Sequence, residues 1–257
     1  MSYDGAGFHG FAAQREVRTV GGALAAALER YLRHTVELTC AGRTDRGVHA
    51  QGQVVSFDAR ADADPQSIQR VLNRTLRPSI VVRAAEVAPP SFDARRWATA
   101  RCYRYTVRND PVPDPFSAGT AWHVPDPLDL PAMRLACDPL YGEHDFSSFC
   151  RRPADPDTSL VRVVRDARWL DLGDGVLRFD IEASAFCHQM VRSVVGTMVQ
   201  VGLGRRLAGE MTGVIAARSR AAAAQPAPPH GLCLWSVDYS GPETLAAGPE
   251  GRPGWLR

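Results

Sequence analysis

The sequence predicts a mixed α+β / α/β protein made of two similar α/β units, each with a mainly antiparallel sheet flanked by helices. Three observations carry that prediction. Stretches of period-two alternation are interleaved with stretches of helical spacing along the chain. Capping residues stand where the helical stretches begin. One pair of alternating stretches is joined by Gly173-Asp174-Gly175, the mark of a hairpin and so of antiparallel neighbours.

Taken in order, the opening "MSYDGAGFHG" leaves room for only a short strand before a glycine-rich turn. "TVGGALAAALERYLRH" then sets Leu24, Leu28, Tyr31 and Leu32 on one helical face behind a Thr19 cap. "TVELTCA" and "QVVSF" alternate as half-buried strands, and Asp64-Pro65 starts a helix running to about Leu76. "SIVVRAAEV" is a further strand. A second unit begins with the strand "ARCYRYTVRN" and continues through "DPVPDPFSAGTAWHVPDP", whose prolines argue against regular structure. Leu130, Met133, Cys137 and Leu140 mark a helical face, and "LVRVVRDARWLDLGDGVLRFDIEAS" reads as the hairpin. Helices over 185–203 and about 207–224 and a closing strand "GLCLWSVDY" complete the unit. The expected organisation is 1–94, 95–240 and a flexible tail over 241–257.

The chain has 257 residues, 45% of them hydrophobic, 23% charged, and a formal charge of +2, which is ordinary for a globular protein. All 30 basic residues are arginine and none is lysine. That excludes a P-loop lysine, a Schiff-base lysine and a kinase strand lysine. Every cationic contact must come from a planar guanidinium, which suits phosphates, carboxylates and base faces. The six cysteines, Cys40, Cys102, Cys137, Cys150, Cys187 and Cys233, show no C-x-x-C pair. With a polar N-terminus and no secretory signal, they are expected to be reduced thiols of a cytoplasmic protein. The apolar run "AFCHQMVRSVVGTMVQVGLG" contains His188, Gln189, Arg192 and Gln200, and is expected to be a buried helix and not a membrane span.

Three places have the residues for chemistry. In "CAGRTDRGVHAQGQVVSF", Asp45 stands between Arg43 and Arg46 and between Gly42 and Gly47. The glycines permit a sharp turn and close approach of a ligand, and nearby guanidiniums favour the ionised carboxylate. Such an aspartate can act as nucleophile or general base; a plain turn, with Asp45 bonding its own backbone, explains the same pattern. In "ARCYRYTVRN", Arg101, Tyr103, Tyr105 and Val107 share one strand face. That face could stack a splayed-out base or pack into a core. In "AFCHQMVRSVVG", Phe186, Met190, Val194 and Val201 form a core stripe, with His188 and Arg192 one turn apart on another face. Arg192 must then reach solvent or meet a carboxylate, of which Asp45 is the sharper choice. Cys187 and His188, as neighbours on a helix, would diverge by about 100° and make a poor thiol–imidazole pair. Other arginines gather at Arg151-Arg152, Arg162/Arg165/Arg168, Arg205-Arg206 and Arg218/Arg220. "CRRPADPDTSLVR" is a polar loop that could cover bound nucleic acid. No H-E-x-x-H or clustered ligand set suggests a metal.

Taken together, these blocks resemble the tRNA pseudouridine synthase A family over nearly the whole chain. "YDGAGFHGF" (3–11), "CAGRTDRGVHAQGQVVSF" (40–57), "FDARRWATARCYRYTVRN" (92–109), "GEHDFSSF" (142–149), "AFCHQMVRSVVG" (185–196) and "PPHGLCLWSVDY" (228–239) follow in family order. The chain departs from the family at Phe11, where a tryptophan is usual, with Ala12-Ala13 before Gln14. The resemblance implies isomerisation of uridine to pseudouridine at positions 38 to 40 of the tRNA anticodon stem-loop, without cofactor or metal, in a cleft between the two units. By the same resemblance Asp45 is the essential carboxylate, Tyr103 stacks on the target base, and Arg43 and Arg192 are basic residues beside Asp45. Phe92, Arg95 and Arg96 fall in a tRNA-contacting segment, and the protein is a homodimer with no membrane association. Two other classes share these features. One is a non-catalytic RNA-binding protein of the same fold. The other is a carboxylate-dependent nucleoside or glycoside hydrolase, which would need a second acid such as Glu37 or Asp58.

Overall fold

The computed structural model describes residues 1–152, 155 and 157–239. The expected tail at 241–257 lies outside the described residues, as do Pro153, Ala154 and Pro156 of the polar loop. Contacts divide the chain into two units, Met1–Ala100 with the stretch from Leu234 on, and Arg101–Cys233.

The first unit runs β1 (Ser2–Tyr3), α1 (Val20–Leu32), β2 (Thr39–Cys40), β3 (His49–Ala50), β4 (Val55–Ser56), α2 (Pro65–Leu76) and β5 (Ile80–Val81). Thr19 caps α1 by accepting from Gly22 N, and Asp64 caps α2 by accepting from Gln66 N and Ser67 N. The two helices bury Leu24, Leu28, Leu32, Ile68 and Leu72 in one apolar cluster with Val36 and Val82. β1 joins β5 and β3 antiparallel, with Tyr3 opposite Ile80 and Ala50. β2 and β4 form a separate antiparallel pair, Cys40 opposite Val55. The strands are shorter than the alternation suggested, and β3 was not expected at all.

The second unit contains β6 (Ala100–Arg108), β7 (Trp122–His123), α3 (Leu130–Leu135), β8 (Gly142–Asp145), β9 (Val161–Asp171), β10 (Val176–Ala183), α4 (Met190–Gly202) and α5 (Glu210–Ala216). β11 (Leu232–Asp238) closes the chain, and from Leu234 on it lies beside β3 in the first unit. The second unit's strands run in the order β6-β10-β9-β8, all antiparallel, while β7 adds to β6 in parallel. The β9–β10 turn has positive φ at Gly173, Asp174 and Gly175, so the hairpin forms where it was expected. Trp169 and Phe179 face each other at 5.2 Å in the core, and the Trp169 indole donates to Met198 Sδ from α4.

Three expectations need correction. α4 was expected to start at 185, but Gln189 adopts the left-handed conformation (φ 67) and the helix begins only at Met190. Phe186 and His188 are therefore not on a helix face. α5 ends at Ala216, far short of 224, ahead of Arg218 at φ 47. Within the proline-rich loop, Trp122 and His123 do find regular structure by pairing with Val107 and Arg108. Cys150 and Cys187 lie side by side, their Cα atoms 5.8 Å apart and 37 residues apart in sequence.

All of α4 except Arg192 and Gln200 is buried. Among the described residues no helix is long and apolar enough to cross a membrane.

Candidate active site

Asp45 sits half-buried in the loop that joins β2 to β3. That loop is clamped from one side by the opening glycine-rich turn. Phe11 N donates to Thr44 O at 3.0 Å, Gly47 N to Phe8 O, and Gly5 N to the His49 ring Nδ1 at 3.1 Å. Gly10 has φ +89, and a Cβ there would stand 2.9 Å from Thr44 O and 3.3 Å from the backbone of Asp45 and Arg46. At Gly5 a Cβ would collide with the Val48 carbonyl. Two glycines are thus required for the turn to lie directly on the aspartate loop.

The loop is also held by a buried polar chain. Tyr3 Oη and Thr44 Oγ1 share a 2.8 Å hydrogen bond, and Gln53 Nε2 donates to Gly42 O at 2.7 Å. Thr44 and Gln53 are both buried, so these bonds satisfy groups that would otherwise be costly to bury. Gly47 takes φ 77 and Val48 N closes the turn onto Asp45 O at 3.1 Å. Arg43 and Arg46 are exposed on the two sides of Asp45.

Phe92 to Arg96 form a turn organised by Asp93, which accepts from Arg95 N and Arg96 N, each at 2.8 Å. The bond from the Arg96 backbone, with that from Arg95 and the two guanidinium charges, holds the Asp93 carboxyl below the usual range. Arg95 and Arg96 are exposed, whereas Phe92 packs between Trp97 and Tyr239, 5.4 Å from each ring. The hydroxyl of Tyr239 anchors the turn by donating to Ala94 O at 2.7 Å. In this turn the arginines are the groups presented outward, and Phe92 is a packing residue.

In the second unit, Tyr103 lies on the buried face of β6 with Arg101, Tyr105 and Val107, as the alternation predicted. Phe186 meets its ring edge-on at 4.9 Å. Tyr105 is wholly buried, donates to Pro228 O at 2.8 Å, and has its hydroxyl pKa driven up by burial, opposed by the charge of Arg192. Arg101 answers the question a buried guanidinium raises, since its Nη1 donates to Ser184 O at 2.8 Å.

Arg192 lies in the first turn of α4 and is half-buried. Its Nε donates to Ala227 O at 2.7 Å, and Ala227 N donates back to Arg192 O at 2.9 Å. The segment carrying Ala227 is pressed so closely on α4 that a Cβ at Gly196 would collide with Gln225 O. One edge of the guanidinium is therefore fixed to the backbone, which differs from a side chain snorkelling to solvent.

Asp45, Arg43 and the Phe92–Arg96 turn belong to the first unit, and Tyr103 and Arg192 to the second. Sequence reasoning assigned no role to Gly5, Gly10, Tyr3 and Gln53, which hold the aspartate loop, or to Ala227, which positions Arg192, and it read Phe186 as a helix core residue and not as the ring against Tyr103. The glycine spacing in "YDGAGFHGF" was the available signal for the first group. A backbone carbonyl, as at Ala227, leaves no sequence signal.

Comparison with known proteins agrees over the length of the chain. The family described as tRNA pseudouridine synthase matches residues 1–95 and 136–240. A tRNA pseudouridine synthase A from Methylacidiphilum infernorum is 41% identical over 239 residues, 93% of each chain. Proteins of the same name from Pseudothermotoga lettingae and a Geobacillus species are each 40% identical, covering 93% of this chain and 97% and 96% of theirs. Among solved structures, a chain of a Cbf5-Nop10-Gar1 complex aligns over 71% of this chain and 41% of its own, at 12% identity. Its TM-score of 0.34 is too low to bear on fold or function.

Proposed function

The chain belongs to the tRNA pseudouridine synthase family, and from that premise we propose that it isomerises uridine to pseudouridine in the tRNA anticodon stem-loop, at positions 38 to 40, with Asp45 as the essential carboxylate. The observation that carries the assignment of Asp45 is its loop. A half-buried aspartate stands in a loop held by backbone bonds from the opening turn and by the Tyr3–Thr44 and Gln53–Gly42 bonds, with glycines where any side chain would force turn and loop apart. A plain surface turn needs no such clamp.

The reaction breaks the bond from C1′ to N1 of the base, turns the base, forms the bond from C1′ to C5, and releases the C5 proton while N1 takes one up. A rigid carboxylate serves this in either of two ways, by attacking covalently or by removing a sugar proton. Arg192 is the cation assigned to Asp45. With Nε committed to Ala227, it would engage the carboxylate through its Nη groups. The target uridine must leave its stack at a cost of about a few kcal/mol, part of which stacking on Tyr103 recovers. Arg43, Arg95 and Arg96 are exposed and suited to phosphates, the sequence-tolerant contacts that a structured stem-loop requires.

Glu37 and Asp58, the acids a hydrolase reading would use, are both exposed, and nothing in the structure favours that reading. A homodimer acting on cytoplasmic tRNA is the working form this assignment implies. The experiment is site mapping. Unmodified tRNA incubated with the protein should acquire carbodiimide-resistant adducts at positions 38 to 40 alone, and modification confined to another arm would refute the assigned region.

A further inference from the structure

We propose that the second unit carries an RNA-binding surface where segments 147–152, 185–189 and 218–227 meet, and that it grips backbone phosphates of the strand bearing the target uridine. The three segments are tied together by hydrogen bonds. Ser219 N donates to Ser148 Oγ at 3.0 Å, and Ser148 is fully buried. Arg151 N donates to His188 O at 2.9 Å, which joins the first segment to the second. Ala224 N donates to Thr197 Oγ1 of α4 at 3.1 Å and Ala227 N to Arg192 O at 2.9 Å, which seats the third on the same helix. Around these bonds stand Arg151, Arg152 and Arg218, all exposed, and Arg220, half-buried.

Two of these guanidiniums are held in place by the fold. Arg220 Nη1 donates to Ala223 O at 3.1 Å and Nη2 to Ala224 O at 2.9 Å, which fixes the planar fork to its own loop. With Gln189, Gln225 and Pro226 it lines an open cavity of about 550 Å³, within the size range of small-ligand sites and roomy enough for a ribose-phosphate unit. Arg218 Nε stands 3.4 Å from Asp145 Oδ2, and Asp145 also accepts from the Ser147 amide and hydroxyl. An acid at the junction is thus already matched. The exposed positions of the three segments hold arginine, histidine, serine, alanine and glutamine, with none of the large apolar side chains that anchor protein interfaces. Arginine and amide side chains are the groups that contact nucleic-acid backbones. The junction also adjoins the residues assigned to the chemistry. Its second segment contains Phe186, whose ring meets Tyr103 at 4.9 Å, and its third ends on Ala227, which holds Arg192. A strand whose base stacks on Tyr103 would lay neighbouring phosphates across this surface.

The choice of strand rests on the synthase reading; the binding of RNA phosphates does not, and the test separates them. The intact chain, Arg151→Ala/Arg152→Ala, Arg218→Gln, and a control, Arg30→Ala/Arg74→Ala on α1 and α2, are titrated with an anticodon stem-loop RNA over a range of salt. Phosphate-ethylation interference maps the contacts, and turnover of tRNA is measured beside them. Loss of Arg151 and Arg152 should weaken binding about tenfold and flatten the slope of log affinity against log salt by about 2, and Arg218→Gln should flatten it by about 1. In the double variant, ethylation of phosphates flanking the target uridine should cease to interfere, while kcat at saturating RNA stays within about twofold. The control should keep the slope and the interference pattern of the intact chain. Unchanged binding in both junction variants, an equal loss in the control, or no RNA binding by the intact chain would overturn the surface. Polyglutamate bound as tightly as the RNA, and released by the same double variant, would overturn RNA as the partner. Binding that needs Arg151 and Arg152 in a chain that never turns over tRNA supports the surface and counts against the synthase reading.

Discussion

Arg192 and Ala227 are bonded to each other twice, side chain to carbonyl at 2.7 Å and amide to carbonyl at 2.9 Å. The pairing fixes where the guanidinium starts from, so its charge and its orientation can be tested apart. Arg192→Met should lower kcat by about a hundredfold or more while tRNA affinity changes little, the pattern of an interaction made in the transition state. Arg192→Lys keeps the charge but loses the planar fork, and should recover only a small part of that loss. Collapse of affinity alone would make Arg192 a phosphate contact.

Gly10 tests the clamp on the aspartate loop. With φ +89 and Thr44 O 2.9 Å from a would-be Cβ, Gly10→Ala should destabilise the protein by about 1–3 kcal/mol and reduce turnover. Gly7, with open space around it, is the control. Gly7→Ala should stay within about 0.5 kcal/mol in denaturant unfolding, and equal losses at both positions would refute the clamp.

The exposed arginines should act through phosphates. Arg95→Ala/Arg96→Ala should raise KM for tRNA, leave kcat nearly unchanged, and flatten the slope of log affinity against log salt by about 2. A fall in kcat at unchanged KM would move this turn from binding to chemistry.

Asp93 gives that turn a pH dependence of known sign. Its carboxyl is held below the usual value by bonds from the Arg96 and Arg95 amides and by the two guanidiniums. A lowered folded pKa means the contribution is complete above the unfolded carboxylate value of about 3.9 and is lost only as pH falls through the lower folded value. Amide exchange at Arg95 and Arg96 should therefore stay protected down to about pH 4 and rise below it. Asp93→Ala should show the unprotected rate at every pH.

Much of this was legible in the sequence where a residue's surroundings repeat along its own segment. The alternation of β6 placed Arg101, Tyr103, Tyr105 and Val107 on one face, and that face is buried. Thr19 and Asp64 were read as caps and are caps. The misses come from partners distant in sequence. β3 is two residues long and exists because β1 and β11 lie on either side of it. Residues 185–189 look helical by apolar content, yet a left-handed Gln189 keeps them outside the helix. For the site, chemistry-bearing residues stood out, whereas the glycines and carbonyls that orient them did not.

The central claim is that Asp45 performs the isomerisation, and release of tritium from tRNA labelled at uridine C5 tests it directly. The unsubstituted protein should release tritium to solvent, while Asp45→Asn, folded and still binding tRNA, should release none above background. Equal release by both proteins, or none from the folded unsubstituted protein, would contradict the account.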